Sequence, residues 1–406
     1  MGACVRAIRP YRRPITGGDA LHDMMPEMPE AKSQFPRQAM SPDRILVTYS
    51  VRSSAQLIEG RANAIAIEQS VELPLDVIDD RRIVQDIVGQ VVGIDAVGDD
   101  LYDVRIALAS QTMPPEPGQL LNMLFGNTSL LGDVALQDVA FPPQYAASFG
   151  GPTVGVDGIR QRVAAYGRAL TATALKPQGL PPAELAKLAH ATALGGIDIV
   201  KDDHGLADQA YSPFADRVAA CAKAVADANA ATGGRTAYAP SLSGSLDQLR
   251  EQIRIVRDAG LQAALIAPMV VGLPAFHAIA KEAADIAFLA HPSLAGASRI
   301  APPLLLGKIF RMLGADVTIF PNYGGRFSYS APVCLDIAKA AIAPWAGLKG
   351  CLPAPAGGMS LDRVPEMLDV YGRDCVLLIG GSLLSERANI TQAARAFVGK
   401  VERHGQ

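Results

Sequence analysis

The chain has 406 residues, 49% of them hydrophobic and 19% charged, with a formal net charge of −3. That is enough chain for two domains and a large core, and a near-neutral sequence with no basic face argues against a nucleic-acid partner. No apolar run approaches the ~18 residues needed to cross a bilayer, and the five cysteines are scattered without a C-x-x-C pair, so reduced thiols in a cytoplasmic protein are expected rather than a disulfide frame.

Residues 1–42 are rich in Pro, Met and Arg without periodicity and read as a flexible tail; basic residues follow Met1 with no apolar stretch after them, which argues against a signal peptide. Residues 43–150 carry the apolar runs "RILVTYSV" (44–51), "ANAIAIEQSVEL" (62–73), "QVVGIDAV" (90–97), "LYDVRIALAS" (101–110) and "DVALQDVAFP" (133–142), with a helix-like "PGQLLNMLFGN" (117–127). Strands with sparse helices predict an α+β domain of ferredoxin-like type.

From 151 to 406 the rhythm changes. Eight short apolar runs alternate with helical patterns: "RALTATAL" (168–175), "IDIVKD" (197–202), "TAYAPSLS" (236–243), "AALIAPMV" (263–270), "IAFLAHPS" (286–293), "VTIFPNY" (317–323), "GCLPAPAG" (350–357) and "VLLIGGS" (376–382). Between two of them, "SLDQLREQIRIVRDAG" places Leu246, Leu249, Ile253 and Val256 at helical spacing behind Ser245 as a cap. Eight strand–helix units predict a (β/α)8 barrel, whose chemistry sits where strands end. Lys176, Lys201, Asp203, His291, Asn322, Gly357–Gly358 and Gly380–Gly381 fall there.

The second run ends in "GGIDIVKDDHG" (195–205). Strand alternation puts Ile197, Ile199, Lys201 and Asp203 on one face, with His204 just beyond. Such a group is either a structural ion-pair cluster or a hard-metal site. His291 is a candidate proton carrier, whereas His190 and His277 lie in helix-like stretches and read as structural.

The stretch "GGIDIVKDDHGLADQAYSPFADRV" (195–218) resembles the activator-lysine segment of RuBisCO large subunits, and the resemblance extends from about 44 to 390. It implies a carbamylated Lys201, formed with CO2, and Asp203 as a Mg2+ ligand; His204 stands where the family has its second carboxylate ligand, and an imidazole suits softer metals. "TALKPQG" (173–179) is similar to the family's first-strand lysine segment, which makes Lys176 the proton-handling lysine, with Gln178 in place of a second one. "LPAPAGGM" (352–359) and "VLLIGGSLL" (376–384) look like the glycine-bearing turns that hold one phosphate, implicating Gly358, Gly380 and Gly381 with the adjoining Ser382.

The second phosphate site of the family is not matched: Ser293, Phe320 and Ala356 stand at its arginine, histidine and serine positions, so a sugar monophosphate is expected. "PNYGGRFSYS" (321–330) offers Arg326 where the carboxylating enzymes use a lysine. In the first domain "AIEQSVELP" (66–74) matches Glu68 to a glutamate that completes the neighbouring subunit's site. "NMLFGNTSL" (122–130) puts Asn122 and Asn127 beside Met123 at a family asparagine position. A homodimer with shared sites, alone or in a larger assembly, is thereby implied.

The pattern is that of RuBisCO-like proteins, which enolise without carboxylating. No lysine lies between Lys32 and Lys176, which counts against the family's methionine-salvage enolase branch. The expected activity is metal-assisted proton abstraction from a sugar monophosphate, of isomerase or tautomerase type. Two alternatives stand beside it: decarboxylation or cleavage of a branched 3-oxo sugar-acid phosphate, with Arg326 serving the carboxylate, and a non-catalytic sugar-phosphate binding protein.

Overall fold

The computed structural model describes residues 44–404 apart from 326 and 328; the expected tail and Arg326 lie outside the described residues. Strands β1 (Arg44–Arg52), β2 (Gln90–Gly98), β3 (Leu101–Ala109) and β4 (Val134–Ala140) form an antiparallel sheet in the order β2-β3-β1-β4. With the helices Ile58–Glu68 and Pro117–Phe125 as connections this is a βαββαβ unit, the ferredoxin-like arrangement. Period-two burial sets its inner face: Ile45, Val47, Tyr49 and Val51 of β1 are fully buried. The run 62–73 is helical as far as Glu68, because Ile58, Ala62, Ile65 and Ala66 recur at helical spacing and bury one stripe.

The remaining strands are parallel: β5 (Leu170–Leu175), β6 (Ile199–Asp202), β7 (Ala237–Ala239), β8 (Ser241–Leu242), β9 (Ala263–Ile266), β10 (Ala287–Ala290), β11 (Val317–Pro321), β12 (Leu352–Ala356) and β13 (Val376–Ile379). Their order is β7-β6-β5-β13-β12-β11-β10-β9-β8. The two ends of that order, β7 and β8, are halves of one strand parted only by Pro240, which has no N–H to give to a ladder. The carbonyl of Pro240 still accepts the N–H of Leu265 at 2.8 Å, so the eight-stranded barrel closes through it.

Leu170, Ala172, Ile199, Leu265, Leu289 and Ile319 help to fill the barrel. The helix Gly155–Val163 plugs its N-terminal end through Ile159 and Val163. Asp316 ties that plug down, accepting the N–H groups of Val154 and Gly155, both at 2.7 Å, that of Phe288 at 2.8 Å and the Thr153 hydroxyl at 2.6 Å. Asp198 does similar work nearby: it takes both guanidinium arms of Arg168, at 2.7 and 2.8 Å, and the N–H and hydroxyl of Thr171. The small sheet is joined to the barrel by the Lys308–Asp138 ion pair (2.6 Å) and by backbone bonds of Leu136 to Arg299 and Ala301. No helix among the described residues is long and apolar enough to cross a membrane, and the four described cysteines are free and buried.

Candidate active site

The ends of β5 and β6 supply the first groups. Along β6 the alternation is visible in what each side chain meets. Ile199 packs in the barrel interior and Val200 in the helix layer. Asp202 points outward, where it accepts Arg217 Nε (2.9 Å), the Tyr238 hydroxyl (2.8 Å) and the N–H of Ser241 (3.1 Å). Asp202 and Arg217 are both fully buried. Removing one partner of such a pair costs about 3–5 kcal/mol, because the other charge is left uncompensated. Three anchors on Asp202 therefore fix its neighbours Lys201 and Asp203 in the opposite direction. Ile197 does not share their face: the strand starts at Ile199, and Ile197 packs in the helix layer.

Asp203 accepts from Lys176 Nζ at 3.0 Å and lies 3.2 Å from His204 Nδ1. Burial alone would raise its pKa, but the hydrogen bonds from His204 and Lys176 and the charges of Lys176 and Lys201 hold it well below the usual carboxylate range. Lys201, only 3% exposed, donates to the carbonyl of Asp202 at 3.0 Å. Burial is the largest influence on it and brings its pKa down to about 8, with Asp203 pulling the other way. Lys176 keeps 42% of its side chain exposed, so its amine is reachable by a ligand.

Across the mouth, His291 follows β10, and its ring stacks on that of His204 at 4.1 Å between centroids and 8° between planes. Its Nδ1 lies 2.8 Å from Ser293 Oγ and accepts the N–H of Ser293 at 3.3 Å. Burial first, then the cationic neighbourhood of Lys201, drives its pKa down to about 2. Lys176, Lys201, Asp203, His204 and His291 are thus brought together. His277 is elsewhere, buried with Nδ1 3.1 Å from the Leu313 carbonyl oxygen.

The turns after β12 and β13 are built for close backbone approach. Gly358 has φ +68°, and a Cβ there would lie 3.1 Å from Gly324 O and Gly325 Cα. At Gly380 and Gly381 an added methyl meets no protein atom within 4 Å. Ser382 Oγ donates to Met359 O at 2.8 Å, fastening one turn to the other.

Two mouth assignments are corrected. Phe320 is fully buried and packs edge-on against Tyr371 of the helix Val364–Tyr371, so it faces away from the barrel axis; Ile319 is the inward residue. Asn322 is also buried outward, donating to Met367 Sδ (2.9 Å) and accepting the Tyr371 hydroxyl (2.7 Å). Glu68 and Asn122 are not joined to the mouth groups by any hydrogen bond or ion pair among the described residues. Glu68 accepts from Asn127 Nδ2 at 2.9 Å, which also reaches Glu72 at 2.7 Å, and Asn122 is exposed. Sequence reasoning passed over the roles of Asp202 and of Ser293 in holding His291. A serine two residues after a strand-end histidine is the signal for the second.

The family profile of the ribulose bisphosphate carboxylase large chain, catalytic domain, matches residues 155–319. The chain is 56% identical over 364 residues to "Ribulose bisphosphate carboxylase-like protein 1" of Rhodopseudomonas palustris, covering 90% of this chain and 99% of that one. It is also 56% identical over 360 residues to "5-methylthioribulose-1-phosphate isomerase" of Rhodospirillum rubrum, covering 88% and 96%. A crystal structure of a RuBisCO-like protein from Rhodopseudomonas palustris superposes with a TM-score of 0.85 at 55% identity, over 90% of this chain and 99% of that one. A parallel barrel behind an antiparallel sheet, with these relatives, makes this chain a member of the RuBisCO large-chain family, among its form IV RuBisCO-like proteins.

Proposed function

We propose that the chain is a sugar-monophosphate isomerase that works by proton abstraction beside a carbonyl, with 5-methylthioribulose 1-phosphate, named for the 56% identical relative, as its substrate. The observation that carries the reading is the lysine–carboxylate–lysine arrangement at the mouth: Lys176 Nζ 3.0 Å from Asp203, beside the buried Lys201. A binding protein has no use for an accessible amine set against a buried lysine and carboxylate.

Lys176 Nζ takes the proton from the carbon beside the carbonyl. The C–H electron pair moves into a C=C bond and the carbonyl oxygen becomes an enediolate oxygen; the proton of the neighbouring hydroxyl passes to that oxygen, and return of the abstracted proton to the former carbonyl carbon leaves the carbonyl one carbon along. Gly358, Gly380 and Gly381 receive the phosphate through backbone N–H groups, and Ser382 steadies their turns. Ile319 leaves the other end of the mouth without a cation on β11, in keeping with a single phosphate. The segment 321–330 contains no lysine, which supports enolisation without carboxylation.

Whether Mg2+ fits this mouth depends on its oxygen donors. Among the described residues no three His, Cys, Asp or Glu side chains gather to hold a metal. The set fits once Lys201 is carbamylated: its amine, at about 8, has a neutral fraction that attacks CO2, forming an N–C bond and releasing a proton. Carbamylated Lys201 and Asp203 would then hold the ion with His204 beside them, and the ion would supply Lewis-acid polarisation of the substrate oxygens. We further place the domain division near residue 150 and assign Glu68 and Asn122 to the partner's site in a homodimer. Unpaired cysteines support a cytoplasmic setting.

The test is incubation with 5-methylthioribulose 1-phosphate and, separately, with ribulose 1,5-bisphosphate and labelled bicarbonate. Conversion of the first to an isomeric pentulose phosphate without label fixation from the second is expected. Label fixation, or an unchanged first substrate, contradicts the reading.

A further inference from the structure

We propose that Ser293 is a positioning residue that locks His291 as the neutral Nε2–H tautomer, so that His291 donates a hydrogen bond to the enediolate oxygen rather than shuttling the substrate's proton. The inference rests on the isomerase reading and assigns a tautomer and its holder within that site.

The geometry decides the tautomer. His291 Nδ1 accepts the backbone N–H of Ser293 at 3.3 Å, with Ser293 Oγ at 2.8 Å. A nitrogen that accepts an N–H carries no hydrogen, and an imidazolium has no acceptor at all. His291 is therefore neutral with its hydrogen on Nε2. That atom makes no protein hydrogen bond among the described residues, and it is not an orphaned buried group, since the Tyr145 hydroxyl alone is one among them. It therefore keeps some solvent exposure, on a ring stacked against His204 and neighboured by Lys176, Lys201 and Asp203.

The stack on His204, with planes 8° apart at 4.1 Å, holds the plane of the ring, and the Ser293 contacts on Nδ1 select which edge of it faces Ser293. Of the residues sharing the mouth, Lys176 is set against Asp203, Lys201 donates to the carbonyl of Asp202 and His204 Nδ1 lies against Asp203, which leaves the Nε2–H of His291 as a donor with no protein acceptor of its own among the described residues. A neutral N–H aimed at a developing oxyanion stabilises charge where it forms without taking a proton to start with. The backbone N–H is the part of the clamp that survives any side chain at 293. The hydroxyl reinforces it, and an acceptor-only side chain there would oppose it.

The experiment is a long-range 1H–15N correlation spectrum of the full chain carrying 15N-labelled histidine, with the His291 signals assigned by their absence from His291→Gln. Wild type is expected to show the neutral Nε2–H form. Ser293→Ala keeps the backbone donor and should keep the tautomer, with kcat lowered less than about tenfold. Ser293→Asp places a carboxylate that accepts from Nδ1–H; it should reverse the tautomer and lower kcat about 100-fold, the scale of losing one oxyanion donor, with KM changed less than about threefold.

An Nδ1–H or doubly protonated His291 in wild type overturns the proposal, and that result needs no variant to fold. So does a reversed tautomer in Ser293→Asp with kcat within threefold of wild type. If instead wild type shows the Nε2–H form yet isomerises no sugar phosphate, the functional reading fails while the tautomer assignment stands.

Discussion

Burying an amine as completely as that of Lys201 penalises its charged form, and the sign of the consequence is definite. The folded chain releases this proton at about 8, against 10.5 for the ordinary group. Below about 8 both folded and unfolded chains are protonated and the burial penalty is felt in full. Between about 8 and 10.5 the unfolded chain binds more protons, so stability rises with pH, and above 10.5 the gain is complete. At ~1.4 kcal/mol per unit this amounts to a few kcal/mol. Lys201→Met, in CO2-free buffer, is accordingly expected to unfold at higher urea than wild type at pH 7, with its lead shrinking towards pH 10.5; a lead independent of pH contradicts this. At this scale the sequence was readable where two signals coincided. Lys176, Lys201 and Asp203 follow from strand ends plus the family pattern. Phe320 was misread because one position of strand register turns a side chain from the mouth to the helix layer, and nothing in "VTIFPNY" fixes that register. Asp198 is an anchor for Arg168 and Thr171, a role that neither the strand period nor a motif marks.

The elements that bear on function most directly are the two glycine turns after β12 and β13, and they make different demands. Gly358→Ala forces a Cβ into left-handed backbone at φ +68° and against Gly324 O and Gly325 Cα; it should cost about 1–3 kcal/mol of stability. Gly381→Ala meets open space, so its melting temperature should match wild type. If the turn receives a phosphate, the added methyl instead raises KM, by about fivefold or more for a close backbone contact. Equal KM for Gly381→Ala and wild type would remove this turn from the site. Element existence was largely legible: all eight barrel runs contain strands, and Ser245 caps its helix through a reciprocal pair with Gln248. Boundaries were less so. Pro240 splits one run into β7 and β8, and the run 62–73, apolar at nearly every other residue in places, folds as helix because its buried stripe starts upstream at Ile58.

For the molecule as a whole, the account requires more than one chain: Glu68 and Asn122 sit on the small sheet's helices and are assigned to a partner's mouth, a relation between copies that neither hydrophobic period nor turn chemistry can encode. Glu68→Gln and Lys176→Met are each expected to be nearly inactive as homodimers. After unfolding and refolding together in equal amounts, about a quarter of wild-type activity should return, because half the dimers then hold one intact site; no recovery contradicts shared sites. The central claim is that Lys176 moves a carbon-bound proton of a sugar monophosphate. It is tested most directly by following 5-methylthioribulose 1-phosphate in D2O by proton NMR with wild type and Lys176→Met. The account predicts isomerised product, with loss of a carbon-bound proton signal at the reacting positions wherever the lysine's proton exchanges with solvent, and turnover at least about 100-fold slower in the variant. Turnover in Lys176→Met equal to wild type would contradict it.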